Sequence, residues 1–211
     1  MLVAIVVAWA IPGVASAQGL FLQKGTSGYG AEAGVSTDGG FAAFDLGVGA
    51  SYQGWADAHL GLSAVRLDPD DWDGDMVAGY GVVPGIGFHP VKQSATTPLS
   101  IAVGADLGLF TYSGGPDGMS AWSIDTWGVA YRFFKLASNY GVIPGVQLTY
   151  SHSASYIDSF SASSNDVSVS LGGHFAWLLD SGYMLTATPG LTFGTEATVF
   201  SLSVGAVRPL P

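Results

Sequence analysis

From Asp166 to Leu179 the chain alternates. Val167, Val169, Leu171, Phe175 and Trp177 fall on one face of an extended strand, and Asp166, Ser168, Ser170 and His174 on the other. A period of two belongs to a β-strand, because its successive side chains point to opposite faces. The pattern recurs along the chain. Phe44, Leu46 and Val48 oppose Asp45, Gly47 and Gly49, and Ala58, Leu60 and Leu62 oppose Asp57, His59, Gly61 and Ser63. Ile101, Val103, Leu107 and Leu109 oppose Ser100, Gly104, Asp106 and Gly108, and Leu202 and Val204 oppose Ser201, Ser203 and Gly205. No helical stripe competes, and 31 glycines disfavour helix interiors throughout.

The alternation predicts ten strands, near 28–36, 41–52, 55–66, 76–89, 98–112, 121–134, 140–151, 165–178, 183–193 and 197–207. One hairpin more or fewer gives twelve or eight. Most are near or above the 9–11 residues that cross a bilayer at a tilt. The chain is 48% hydrophobic and only 10% charged, against about 25% charged in an ordinary soluble domain. Yet beyond residue 17 no apolar run approaches the about 20 residues of a membrane helix. A lipid-facing barrel resolves this, since it turns apolar side chains outward and small polar ones inward. The fold class is therefore all-β: a closed antiparallel up-and-down transmembrane β-barrel over residues 18–211. The alternative is a soluble secreted β-sandwich or lipocalin-like binding barrel. Its outer face would need charge, and six basic residues are too few for ten strands.

The first segment, MLVAIVVAWAIPGVASA, reads as a signal peptide over residues 1–17. Its apolar run ends in Ala15-Ser16-Ala17, which sets cleavage before Gln18. As a membrane anchor it would be short, and it is broken at Pro12-Gly13. There is no cysteine, so the exported chain is held by its hydrogen-bonded framework. A net charge of −10 without a basic cluster argues against a nucleic-acid partner.

With both termini periplasmic, TDGG, LDPDDWDGD, SGGPDGMS, HSASYIDSFSASSN and GTE become the outward loops. Most loop acids fall there, and Lys24, Lys92, Lys135 and Arg208 fall at the periplasmic end. Aromatics mark both rims as an interfacial belt. Tyr52, Trp55, Phe88, Phe133 and Trp177 lie low, and Tyr80, Tyr112, Trp122, Tyr150 and Phe200 lie high. Three strands carry related proline motifs, YGVVPGIGF, YGVIPGVQL and LTATPGLTF. Pro84, Pro144 and Pro189 fall on the lipid-facing parity, with Gly85, Gly145 and Gly190 inward. Proline cannot donate to a ladder, so an unpaired carbonyl is expected opposite each.

Signal peptide, two-residue alternation, Gly-rich inner face and terminal strand together resemble the small outer-membrane β-barrel proteins of Gram-negative bacteria. The resemblance covers Gln18–Leu210. It implies a cell outer-membrane location, contact with outer-membrane lipid and lipopolysaccharide, insertion by the outer-membrane assembly machinery, and a monomer. That machinery reads the last strand, which in such proteins usually ends on an aromatic residue. Here it reads FSLSVGAVRPLP, with Ser203 and Gly205 in place but Arg208-Pro209-Leu210-Pro211 at the end.

The parity places Glu32, Asp45, Asp57, His59, Asp106, Arg132, Gln147 and His174 along the lumen, with Arg132 as its main cation. They form either a structural network that fills the barrel or the acidic wall of a narrow channel for small solutes or ions. The run Asp68, Asp70, Asp71, Asp73, Asp75 is a weak Ca²⁺ candidate. It does not fit an EF-hand, which would put ligands at Pro69 and Tyr80. Ser151-His152-Ser153 is the only local Ser/His cluster and lacks a third group, so no enzyme and no cofactor is expected. The expected role is structural or a narrow channel. The alternative is a surface-interaction barrel acting through acidic and aromatic outward loops that carry Trp72, Tyr156, Ile157 and Phe160.

Overall fold

The computed structural model describes residues 22, 24–38, 40–67, 77–113, 119–157, 160–195 and 197–210. The signal-peptide segment and Asp68, Asp70, Asp71, Trp72, Asp73 and Asp75 lie outside the described residues. The strands are β1 (Gly28–Thr37), β2 (Phe41–Tyr52), β3 (Ala56–Leu67), β4 (Val77–Val91), β5 (Ser100–Ser113) and β6 (Ser120–Tyr131), then β7 (Phe134–Lys135), β8 (Tyr140–Ile157), β9 (Phe160–Leu178), β10 (Met184–Phe193) and β11 (Thr198–Pro209). β7 is two residues riding on β8. The other ten close into one antiparallel ring, with each strand beside its neighbours in sequence. β6 pairs with β8 across the β7 connection. β1 pairs with β11 from Gly28↔Pro209 to Thr37↔Phe200, so the start of β1 and the end of β11 lie at the same mouth, here the terminus mouth.

The wall is apolar outside and polar inside. Leu46, Val48, Leu62, Ile86, Leu109 and Val204 project outward, Leu62 at 53% and Val204 at 56% exposed. Asp45, Ser63, Asp106, Ser123, Ser151 and Ser203 are buried inside. In water such a band would cost about 25 cal/mol for each Å² left uncovered. The arrangement is that of a barrel solvated by hydrocarbon, the inverse of a soluble sandwich. At the terminus mouth β2 and β3 join through Gln53 (φ 51°) and Gly54 (φ 63°), both left-handed as a type I′ turn requires.

The prolines interrupt the ladder on one side each and leave the register intact. Pro84 faces Leu60 of β3 in register, but pairing to β5 lapses between Val82↔Leu109 and Gly85↔Asp106. Pro189 faces Leu202 of β11, and pairing to β9 lapses between Ala187↔Phe175 and Gly190↔Gly172. Pro144 sits where the β6 ladder ends at Tyr131↔Gly145, and its carbonyl accepts from Arg132 N at 3.2 Å. No register slip accompanies Pro84 or Pro189. The shift on β4 lies between Phe88 and Val91 instead.

Two expectations change. Most of HSASYIDSFSASSN is strand, with Asp158 and Ser159 outside the described residues. β8 and β9 continue through it in register from Ser151↔Asp166 to Ile157↔Phe160. Ser and Ala alternate weakly, so a run of them resembles a linker, while the ladder needs only backbone. β9 then outruns β10, whose last partner pair is Phe193↔Val169. Phe160–Ser168 is thus paired on its β8 side only, about 30 Å of strand at about 3.3 Å per residue. The second change is Tyr112, which is buried in the interior rather than standing in the rim belt.

Candidate functional site

The interior is built by matching bulky residues with glycines across strands. Tyr112 stands directly opposite Gly79, Phe110 opposite Gly81, and Trp127 opposite Gly104. Each ring lies where the glycine's Cβ would be. Such a carbon would sit 2.2 Å from Phe110 Cε1 at Gly81, and 2.2 Å from Trp127 Cζ2 at Gly104. A glycine under a cross-strand ring lets a narrow barrel fill its lumen without strain. Near the far mouth, Phe41, Val65, Val77, Phe110, Tyr112 and Val199 form an apolar cluster. Nearer the terminus mouth, Ala102, Trp127, Val129, Tyr131 and Ile143 form a second.

Polar groups fill the space between and beside the clusters. Asp106 receives the Trp127 indole N–H at 3.0 Å, and its Oδ1 lies 2.9 Å from His59 Nε2. His89 bridges Tyr131 Oη (2.9 Å from Nδ1) and the Asp57 carboxylate, which Nε2 meets. Ser123 donates to Asp125 at 3.1 Å, and Ser203 reaches Glu32 at 3.4 Å. His174 Nδ1 meets Thr188 Oγ1 at 2.8 Å, and Gln147 donates to Thr149 at 3.1 Å. Burying charged or polar groups is tolerable only with such partners. Among the described residues Glu32 Oε1, Asp57 Oδ1, His59 Nδ1 and Asp106 Oδ1 have no hydrogen-bond partner, so the His59–Asp106 approach is a close polar contact and not a hydrogen bond.

The opposite wall is lighter. Gly145, Gly172 and Gly190 lie side by side on β8, β9 and β10. They border a cavity of about 80 Å³ together with Gln147, His174 and Thr188. That is room enough for water.

Of the lumen residues expected from sequence, Glu32, Asp45, Asp57, His59, Asp106, Gln147 and His174 point inward; Glu32, Asp45, Asp57 and Asp106 are buried. Arg132 does not. β6 ends at Tyr131, whose ring is inside, so the next residue faces away. The Arg132 guanidinium lies over the Phe134 ring, 4.8 Å from its centroid. The side chains that meet the lumen carboxylates Asp57 and Asp106 are instead imidazoles, those of His89 and His59. His89, Asp125, Trp127 and Tyr131 are further interior groups that the sequence reading missed. Continuing the β4 alternation two residues past Gly87 would have turned His89 inward. In β6 the phase is ambiguous, because Trp127 and Tyr131 make the inner set as apolar as the outer. His152 faces Asn165 (Nδ1 to Oδ1, 2.9 Å), and Ser151 and Ser153 turn inside, so the Ser-His-Ser run makes no nucleophile–base pair.

A separate basin of about 610 Å³ opens at the terminus mouth, with Tyr131 and Ser100 among its lining. Lys92, just beyond β4, donates its Nζ to Leu22 O at 3.2 Å there. Burial pushes its ammonium down to about 8, with the Asp57 carboxylate opposing that shift.

Solved structures share this architecture. The β-domain of the Bordetella autotransporter BrkA superposes with a TM-score of 0.59 at 14% identity, covering 86% of this chain and 98% of that one. Its fold is that of the outer-membrane β-barrels. An outer-membrane channel from Pseudomonas putida F1 superposes with a TM-score of 0.52 at 9% identity, covering 90% and 97%. No protein-family model and no curated protein sequence matches the chain. At these identities the likeness establishes a fold, and the barrel's contents must carry the functional reading.

Proposed function

We propose that this outer-membrane barrel is a closed, structural anchor that acts at its outer surface rather than a solute channel. The carrying observation is the filled lumen. Rings from β5 and β6 cover the glycines opposite them, and buried imidazole–carboxylate pairs occupy the space between. Moving an ion through would require unmaking several buried polar contacts at once. In this reading the terminus mouth faces the periplasm, the apolar band meets lipid and lipopolysaccharide, and assembly machinery inserts the chain. The hairpin of β8 and β9, which outruns β10, is then the part offered to a surface partner.

Planar-bilayer recording tests this. The refolded protein is expected to show no stable conductance steps, and the double variant Phe110→Ala/Trp127→Ala is expected to show them. Stable ohmic steps from the parent protein would return the narrow-channel reading. A hairpin shortened by replacing residues 153–164 with Asn-Gly should still refold, since His152 and Asn165 are cross-strand partners.

A further inference from the structure

Half of the chain's basic residues stand around one opening. The basin at the terminus mouth is lined by Lys24, Lys92 and Lys135, three of the six Lys and Arg in a chain of net charge −10. No Asp or Glu is among its lining residues. The three lysines come from separate parts of the chain. Lys24 precedes the left-handed Gly25 (φ 91°) ahead of β1, Lys92 follows β4, and Lys135 belongs to β7. Lys92 is half-buried, held by Leu22 O and standing 5.8 Å from the centre of the Tyr131 ring.

Low-dielectric walls focus the field of like charges that line one concave surface. An anion entering the basin meets that field. The volume suits a small molecule, since ligand sites run from about 300 to 1,000 Å³. The lining also offers apolar and aromatic surface in Leu22, Tyr131, Phe133, Tyr140 and Met184, so the ligand has room for a carbon skeleton as well as charge. Lysine ammoniums act as point charges and take carboxylate or phosphate oxygens alike.

We propose that this basin is a binding site for a small polyanion, carrying two or more carboxylate or phosphate groups, that enters from the terminus side. The lysines bind its charges and the ring-lined wall takes its body. The site is distinct from the lumen network and does not depend on the surface role proposed above.

Isothermal titration of the refolded full chain in detergent tests it, with citrate and pyrophosphate as separate probes at low salt. At least one is expected to bind, and which one separates the carboxylate from the phosphate source. The exposed pair Lys24→Gln/Lys135→Gln should weaken binding about tenfold or more, and Lys92→Gln should weaken it further. Raising salt from 50 to 300 mM should weaken it too, because screening shortens the reach of surface charge. The boiled-versus-unboiled gel shift confirms that each variant is folded; the double variant leaves the half-buried Lys92 untouched, so it is the decisive one. No heat from either probe at 10 mM, or equal affinity in the folded double variant, overturns the proposal.

Discussion

Gly85→Ala should break the centre of the lumen network. A Cβ on Gly85 would lie 2.0 Å from Asp106 Oδ1 and 2.2 Å from His59 Nε2. Non-bonded carbon needs more than about 3 Å, so both groups must retreat by about 1 Å. Their 2.9 Å polar contact is then lost. Leaving a buried polar group without its partner costs about 1–3 kcal/mol. Replacing glycine in a strand returns about 0.5–1 kcal/mol. The net is a destabilisation of about 1–2 kcal/mol, a five- to thirtyfold drop in the folding constant. Gly172→Ala is the control. It is also inward-facing, but its Cβ would meet nothing nearer than Pro189 O at 3.4 Å, so it should be neutral or slightly stabilising. Urea titration of both variants in lipid vesicles, followed by tryptophan emission and gel mobility, measures the difference. If Gly85→Ala is as stable as the parent, or if both substitutions cost the same, the glycine-matched interior is wrong.

Other outcomes follow from the same contacts. Asp106→Ala leaves the Trp127 indole N–H without its acceptor and His59 without its carboxylate, and should destabilise by about 3 kcal/mol or more with a shift in tryptophan emission. Pro84→Ala should slow amide exchange around residue 84 by restoring a donor toward β5, while stability moves by less than about 1 kcal/mol because the gained bond offsets lost chain stiffness. Lys92 holds a proton less tightly in the folded protein than in the unfolded one, so the unfolded chain binds more protons between about pH 8 and pH 10. Stability should therefore rise with pH across that window, and Lys92→Met should flatten the rise in a urea-midpoint series. A citrate or pyrophosphate ligand should raise the pH at which Lys92 deprotonates, readable by NMR of its side chain.

Period and composition determine the envelope of this protein on their own. Alternating strands, too little charge for a soluble surface and no long apolar run leave a lipid-facing barrel of eight to twelve strands, because only a closed ladder satisfies every backbone group in hydrocarbon; the structure sets the number at ten. Alternation also turns Glu32, Asp45, Asp57, His59 and Asp106 inward, since parity is a local property of each strand. It fails where the two faces of a strand look alike. In β6 the inner set is as apolar as the outer, and its actual phase puts Arg132 outside; the β8–β9 ladder out to Ile157↔Phe160 makes strand of an apparent loop. What fills the lumen depends on register, which no single strand encodes. Gly79, Gly81, Gly85 and Gly104 look alike in sequence, yet each lies beneath a particular partner: Tyr112, Phe110, the His59–Asp106 pair or Trp127. A shift of two residues would preserve every inward and outward face and still separate all four. The same holds for Lys24, Lys92 and Lys135, which are remote along the chain and meet at one basin only because the ring closes.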